Sequence, residues 1–191
     1  MSEIGQDNRI RLRNVRPEEF AECWKLILDT NLENWEMHQV AGPLPKGRDL
    51  EQHIEQLRDK LEMLFNPETD RLLVAATNEE LAGVAWYSLQ VDYVYALDHA
   101  IIYTLYVKKE FRRRGIALRL VNEVKKRAEK AGYKYIRLSV LHSNTPARNL
   151  YRHLGFFDET HNMICRLEPT GPEKRKAEAR QRKEAEQKDD Q

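Results

Sequence analysis

Apolar side chains recur along this chain in two periods, one near two residues and one near three and a half, and the change from one to the other marks out its elements. Ile10-Arg11-Leu12-Arg13 alternates as a short strand. Pro17-Glu18-Glu19 opens a helix, with proline in the first turn and carboxylates near the positive end of the helix dipole. Leu50, Ile54, Leu57, Leu61 and Leu64 fall three or four residues apart and predict a second helix. The intervening segment, Asn34 to Arg48, holds Gly42-Pro43, Pro45 and Gly47 and reads as an irregular loop. Asp70 to Thr77 and Leu81 to Val91 read as a hairpin about Asn78-Glu79-Glu80, and the run Leu72 to Ala76 is apolar enough for the inside of a sheet.

The second half of the chain carries a strand–helix–strand pattern. Ala100 to Val107 is an apolar strand, Ile116 to Ala131 a helix closed by Gly132, and Tyr135 to Val140 the next strand, which together form a βαβ unit. The helix gathers Ala117, Leu120, Val121, Val124 and Ala128 on one face and turns Lys125, Lys126, Glu129 and Lys130 outward. A short helix follows, with Thr145 as its N-cap, Pro146 at its first position, Ala147, Leu150, Tyr151 and Leu154 on one face, and Gly155 as the left-handed residue at its end. Phe156 to Phe157 and Met163 to Leu167 predict further antiparallel strands.

Composition narrows the class. The 191 residues suffice for one domain with an appendage, read as a flexible segment over 1–8, a domain over 9–168 and a charged tail over 169–191. From Gly171 onward, seven basic and six acidic residues occupy a stretch without a large apolar side chain, which cannot form a core and reads as a solvated helix or disordered tail. Lys and Arg number 32 against 31 Asp and Glu, so no excess of cation calls for nucleic acid or an anionic membrane. The N-terminus has no apolar leader and no run approaches the length that spans a bilayer, which predicts a cytoplasmic protein. Cys23 and Cys165 fit neither a disulfide framework nor zinc spacing and read as small buried residues in a reducing compartment. No metal site is expected.

The stretch with chemistry is Arg112-Arg113-Arg114-Gly115-Ile116-Ala117, lying between the apolar strand and the long helix. The first N–H groups of a helix have no partner within it and carry partial positive charge, so an anion fits there. Gly115 admits close approach of a ligand to the backbone, and the three arginines add charge at the rim. The spacing is that of neither the Walker P-loop nor the Gly-x-Gly-x-x-Gly dinucleotide loop.

With this Arg-x-x-Gly-x-Ala, and with Ser143-Asn144-Thr145-Pro146-Ala147-Arg148-Asn149-Leu150-Tyr151-Arg152-His153-Leu154-Gly155-Phe156 downstream, the chain resembles the GNAT superfamily of N-acetyltransferases. The specific part of the resemblance is residues 100–157, within a likeness that covers about residues 8–168. It implies an α/β GNAT-like fold: a central, mixed, mostly antiparallel twisted sheet of about six to seven strands flanked by about four helices. It also implies acetyl-CoA as co-substrate and an amine as acceptor; the functional unit reads as a monomer or homodimer, since the apolar run Met163 to Leu167 could pair with another subunit at an exposed edge. On the grounds of the resemblance, the diphosphate rests on the backbone of Arg112, Arg113, Arg114, Gly115, Ile116, Ala117 and Leu118, and the pantetheine arm pairs with the strand at Val107. The N–H of Leu105 polarises the thioester, and Tyr151 protonates the departing thiolate. Asn144 either bonds the pantetheine or helps to cap the next helix.

The general base departs from the family pattern. In the family it often comes from the strand before the phosphate loop, as Glu or His, sometimes acting through water; here the alternate positions are His99, Ile101, Tyr103 and Leu105. The resemblance therefore leaves a water ordered by Tyr103 with His99 or Asp98, a carboxylate from the N-terminal helices such as Glu33, or His142. Trp35, Met37, His38, Tyr93 and Tyr95 predict an aromatic acceptor pocket, with Glu33, Glu36, Asp92 and Asp98 able to attract a cation. A protein N-terminus, a lysine, a polyamine, an amino acid and an aminoglycoside all fit this description. The missing base also admits a second reading, a catalytically weak acyl-CoA-binding regulatory module.

Overall fold

In the computed structural model, residues 9–35, 37, 46–92 and 97–164 are described. The chain up to Phe157 is one compact unit and Asp158–Gln191 a second, of which residues 158–164 carry neither helix nor strand. Five strands, β1 (Arg11–Asn14), β2 (Asp70–Ala76), β3 (Leu81–Asp92), β4 (Leu97–Val107) and β5 (Tyr135–Leu138), form one sheet in the order β1-β2-β3-β4-β5. The first four are antiparallel neighbours and β5 runs parallel to β4, so the sheet is mixed and mostly antiparallel, as expected. Four α-helices flank it: α1 (Phe20–Trp35), α2 (Arg48–Leu64), α3 (Ile116–Lys130) and α4 (Thr145–His153).

The strand count among the described residues is five rather than six or seven. Phe156, Phe157, Met163 and Ile164 belong to no strand, and the rest of the last predicted strand and the tail over 169–191 lie outside the described residues. So do residues 38–45 of the expected loop, along with His38, Tyr93, Tyr95 and Cys165.

The sheet is buried on both faces, which is why its strands read as apolar runs. On one face Leu73, Ala85, Tyr87, Ile102 and Val107 pack against Leu120, Val121 and Val124 of α3 and Leu154 just beyond α4. On the other, Val74, Val84, Trp86 and Tyr106 pack against Cys23, Leu26 and Ile27 of α1. Burial pushes the Cys23 thiol up to about 12, so it is an inert core residue.

One irregularity positions everything that follows. Trp86 pairs with Thr104 but Tyr87 pairs with Ile102, so Tyr103 is an extra residue in β4, a β-bulge. An inserted residue offsets the two-residue alternation by one. Ile102, Leu105 and Val107 consequently face α3, whereas the Tyr103 ring lies 5.1 Å from that of Trp86 on the α1 side. The row read from sequence, His99 through Leu105, is broken at Tyr103, and Leu105 stands on the opposite face.

Candidate active site

The parallel pairing of β5 with β4 runs only from His99–Tyr135 to Ile102–Leu138. Beyond it the edge of β4 has no strand neighbour among the described residues. Lys108 N donates to Ala82 O at 2.9 Å, so the last residue in register with β3 alternates from there. Alternation turns the N–H and C=O of Val107 and of Leu105 away from β3, toward the open side. An extended chain bearing amides meets a ready strand edge at these two residues.

The corner that follows is built to expose N–H groups. A short 3-10 turn, Lys109–Phe111, is anchored by buried Phe111 and leads into Arg112–Gly115. Arg113 has φ 64° and Gly115 φ 71°, two left-handed residues that curl the backbone into a nest before α3. A Cβ on Gly115 would meet nothing within 4 Å, so glycine is required there by the backbone angle, and the space outside it is open. The first α3 N–H with a helical partner is that of Arg119, which donates to Gly115 O at 3.0 Å. The N–H groups of Ile116, Ala117 and Leu118 precede it, with no capping side chain and no acidic residue in the first turn. Left without a carboxylate of its own, this helix start suits an external anion.

The three arginines do different things. Arg114 reaches back to Glu110 O at 3.0 Å and lies 5.3 Å from the centre of the Phe111 ring. Arg112 donates through Nε to Val107 O at 2.8 Å and through a terminal nitrogen to Glu33 Oε2 at 2.7 Å. Arg113 is exposed, and among the described residues its guanidinium holds no protein group.

Across the opening, Asn144, not Thr145, is the N-cap of α4: its Oδ1 accepts from Ala147 N at 3.2 Å. Either residue type caps well, and the pattern alone could not choose between neighbours. Ser143 donates its hydroxyl to Met37 O at 2.8 Å, which brings the chain just beyond α1 against the β5–α4 turn. Tyr151 on α4 packs into the same cluster as Leu105, Val107, Ile116, Ala117 and Leu118, with its ring 5.7 Å from that of Phe156. Burial pushes its phenol up to about 12.

The structure thus gathers the strand edge, the Arg112–Gly115 corner and Tyr151, and separates them from the other two candidates. Tyr103 is half exposed on the far face of β4. His99 is buried at 4% exposure; along the strand it lies about 13 Å from Tyr103 and about 20 Å from Leu105. Sequence reasoning missed Tyr106 and Lys109, which meet Glu33 across more than seventy positions of chain: Tyr106 donates to Glu33 Oε1 at 3.1 Å and Lys109 Nζ lies 3.6 Å from it. No local pattern announces such a contact. Among the described residues no group of three His, Cys, Asp or Glu is placed to hold a metal, and no helix is long and apolar enough to cross a membrane.

A sequence model of the acetyltransferase (GNAT) family matches residues 19–156. The chain belongs to this family. Acyl transfer is therefore its chemistry at the coarse level. No curated protein matches the chain. Among solved structures, a protein from Pyrococcus furiosus assigned as an acetyl transferase is 25% identical, with a TM-score of 0.67 over 83% of this chain and 100% of that one. A transcriptional regulator from Bacillus halodurans C-125 has 20% identity and a TM-score of 0.61, covering 83% and 100%. Ribosomal-protein-alanine N-acetyltransferase from Brucella melitensis biovar Abortus 2308 has 16% identity and a TM-score of 0.58, again over 83% and 100%. At such identities the last two share the GNAT fold, and their differing names illustrate that the fold leaves the acceptor open.

Proposed function

We propose that this GNAT protein is an N-acetyltransferase that moves an acetyl group from acetyl-CoA to a primary amine by direct attack in a ternary complex. The observation that carries the reading is the run of N–H groups from the Arg113 nest to Leu118, offered beside an open strand edge at Val107 and Leu105. The diphosphate takes the corner, Arg113 adds a cation with no other described partner, and the pantetheine amides extend along Val107.

An acetyl thioester is already activated, so the protein's tasks are to hold it, admit a neutral amine and stabilise charge. As the amine nitrogen bonds to the carbonyl carbon, negative charge builds on the carbonyl oxygen, where the Leu105 N–H points. The C–S bond then breaks, the sulfur takes the charge, and the nitrogen gives up its extra proton. With a phenol at about 12, Tyr151 is protonated at every ordinary pH. Burial favours the neutral phenol, and the same surroundings disfavour a bare thiolate, so the phenol faces the sulfur as a donor. Its role is therefore hydrogen-bond donation to the departing sulfur, with the amine's proton completing the thiol. Tyr103 stands on the other face of β4 against Trp86, and the buried His99 is too far up the strand to take the amine proton directly.

Calorimetric titration with CoA, together with thiol release from acetyl-CoA across amines, amino acids, polyamines, aminoglycosides and N-terminal peptides, tests this reading. Binding with turnover on one amine class is the expected result. Binding with no turnover on any class favours the regulatory module, and no binding removes the phosphate corner from the account.

A further inference from the structure

Glu33 stands at the far end of α1, where it meets side chains of β4 and of the corner that follows it. Its Oε2 meets Arg112 at 2.7 Å, and its Oε1 accepts from Tyr106 at 3.1 Å and faces Lys109 at 3.6 Å. Burial, and then the Glu33 charge, push the Tyr106 phenol up to about 12, so the phenol remains a donor to that carboxylate. Arg112 is held on three sides. Besides Glu33 it has the Val107 carbonyl at 2.8 Å, and its guanidinium carbon lies 5.5 Å from the centre of the Tyr106 ring.

A guanidinium is a rigid planar fork with five donors. Nε is committed to Val107 and one terminal nitrogen to Glu33, which leaves the other terminal nitrogen without a described protein partner and fixes the plane in which it lies. Two cations, Arg112 and Lys109, face Glu33, with Asp29 a second carboxylate near Tyr106. Arg112 also ties the last residue of the open strand edge to the corner, since its partner there is Val107 itself.

Resting on the acetyl-CoA reading above, we infer that Glu33 is a positioning residue for CoA: acting through Arg112, it sets the phosphate corner and the Val107 edge in register before the ligand arrives. An arginine left free must be ordered on binding, at a cost that Glu33 removes in advance. The assignment differs from a general base, because a base acts on the amine and has no bearing on CoA in the absence of acceptor.

The test is a double-substitution cycle read by calorimetry with CoA alone, on full-length protein. Glu33→Gln is expected to weaken CoA binding by about three- to tenfold, while in an Arg112→Gln background the same change has no further effect. Glu33 is part-exposed at 30%, so the variant is expected to fold, as circular dichroism verifies. Should it fail to fold, Arg112→Lys takes its place: lysine keeps the charge but cannot serve both partners, and is expected to lose affinity to the same extent. If Glu33→Gln binds CoA like the unaltered protein, or loses the same factor with and without Arg112, the positioning role is wrong and the acetyl-CoA reading survives. If the unaltered protein binds no CoA, both fall.

Discussion

Arg113 sits at φ 64° without being glycine, which costs a residue with a Cβ about 1–2 kcal/mol. Arg113→Gly relieves that strain but surrenders about 0.5–1 kcal/mol of chain entropy. The expected outcome is a melting temperature level with or slightly above that of the unaltered protein, together with weaker CoA binding because an unpaired cation is gone. Arg113→Val should lower stability by about 1–2 kcal/mol, as β-branching suits this angle least. Differential scanning calorimetry with a parallel CoA titration separates the two effects; Arg113→Gly binding CoA at full strength would make this arginine a bystander. Tyr151→Phe keeps the ring against Phe156 and removes only the donor. It should lower turnover by about a hundredfold and leave the CoA dissociation constant unchanged. Because the phenol lies at about 12, any loss of rate between pH 8 and 10 should persist in Tyr151→Phe; its disappearance would mean that Tyr151 titrates in that range.

β3, β4 and the start of α1 show where element-level packing leaves no slack. A Cβ on Gly83 would come within 2.6 Å of Tyr106 O and 3.3 Å of Val107 Cα, backbone atoms of the strand that carries the open edge. Gly83→Ala must push β4 away, and by the usual cost of overpacking should lose about 1–3 kcal/mol in urea unfolding; an unchanged midpoint would show that β4 shifts freely. Arg13 on β1 grips Glu19 through both carboxylate oxygens at 2.6 Å, and Arg16 N adds a third bond at 2.9 Å. Chiefly through the Arg13 hydrogen bonds, Glu19 is held down to about 2 from the ordinary 4.5. A carboxylate lowered in the folded state stabilises it above the ordinary value and loses that contribution as pH falls from about 4.5 to 2. With solvent at the pair, Glu19→Gln should cost up to about 1 kcal/mol at pH 7 and less near pH 2, and equal costs at both would dismiss the ion pair. Most elements were legible, because the hairpin, the βαβ unit and helices α2 and α4 each carry one clear period, whereas the short run Phe156–Phe157 carries none and forms no strand. The bulge at Tyr103 was not legible: Ile101 to Val107 is apolar or aromatic at almost every position, so the sequence holds no polar phase to slip. The open edge at Leu105 and Val107 is a property of backbone groups, so their apolar side chains carry no mark of it.

At the scale of the fold, the corner, the β4 edge and α4 come from three stretches of sequence and meet only in the packed state, where Val107, Ile116, Leu120 and Leu154 share one core. The two motifs, at 112–117 and 143–156, made that meeting legible, whereas the Glu33–Arg112 and Met37–Ser143 contacts join segments with no common pattern. A ligand that spans all three parts can bind only the folded chain, so its binding energy adds to the stability of the whole. At a hundred times its dissociation constant, CoA should contribute about 2.7 kcal/mol. For a chain of this length that amounts to a rise of about 5–10 °C in melting temperature. Pantetheine, which carries the amides without the diphosphate, should give a much smaller shift, because the positive corner contributes nothing to its binding. Raised salt should shrink the CoA shift and leave the pantetheine shift nearly unchanged, since exposed charge is screened while strand-edge hydrogen bonds are not. Equal shifts from both ligands would mean that the strand edge alone holds CoA. A shift from CoA that survives salt would instead place the N–H nest, rather than the arginines around it, at the centre of recognition.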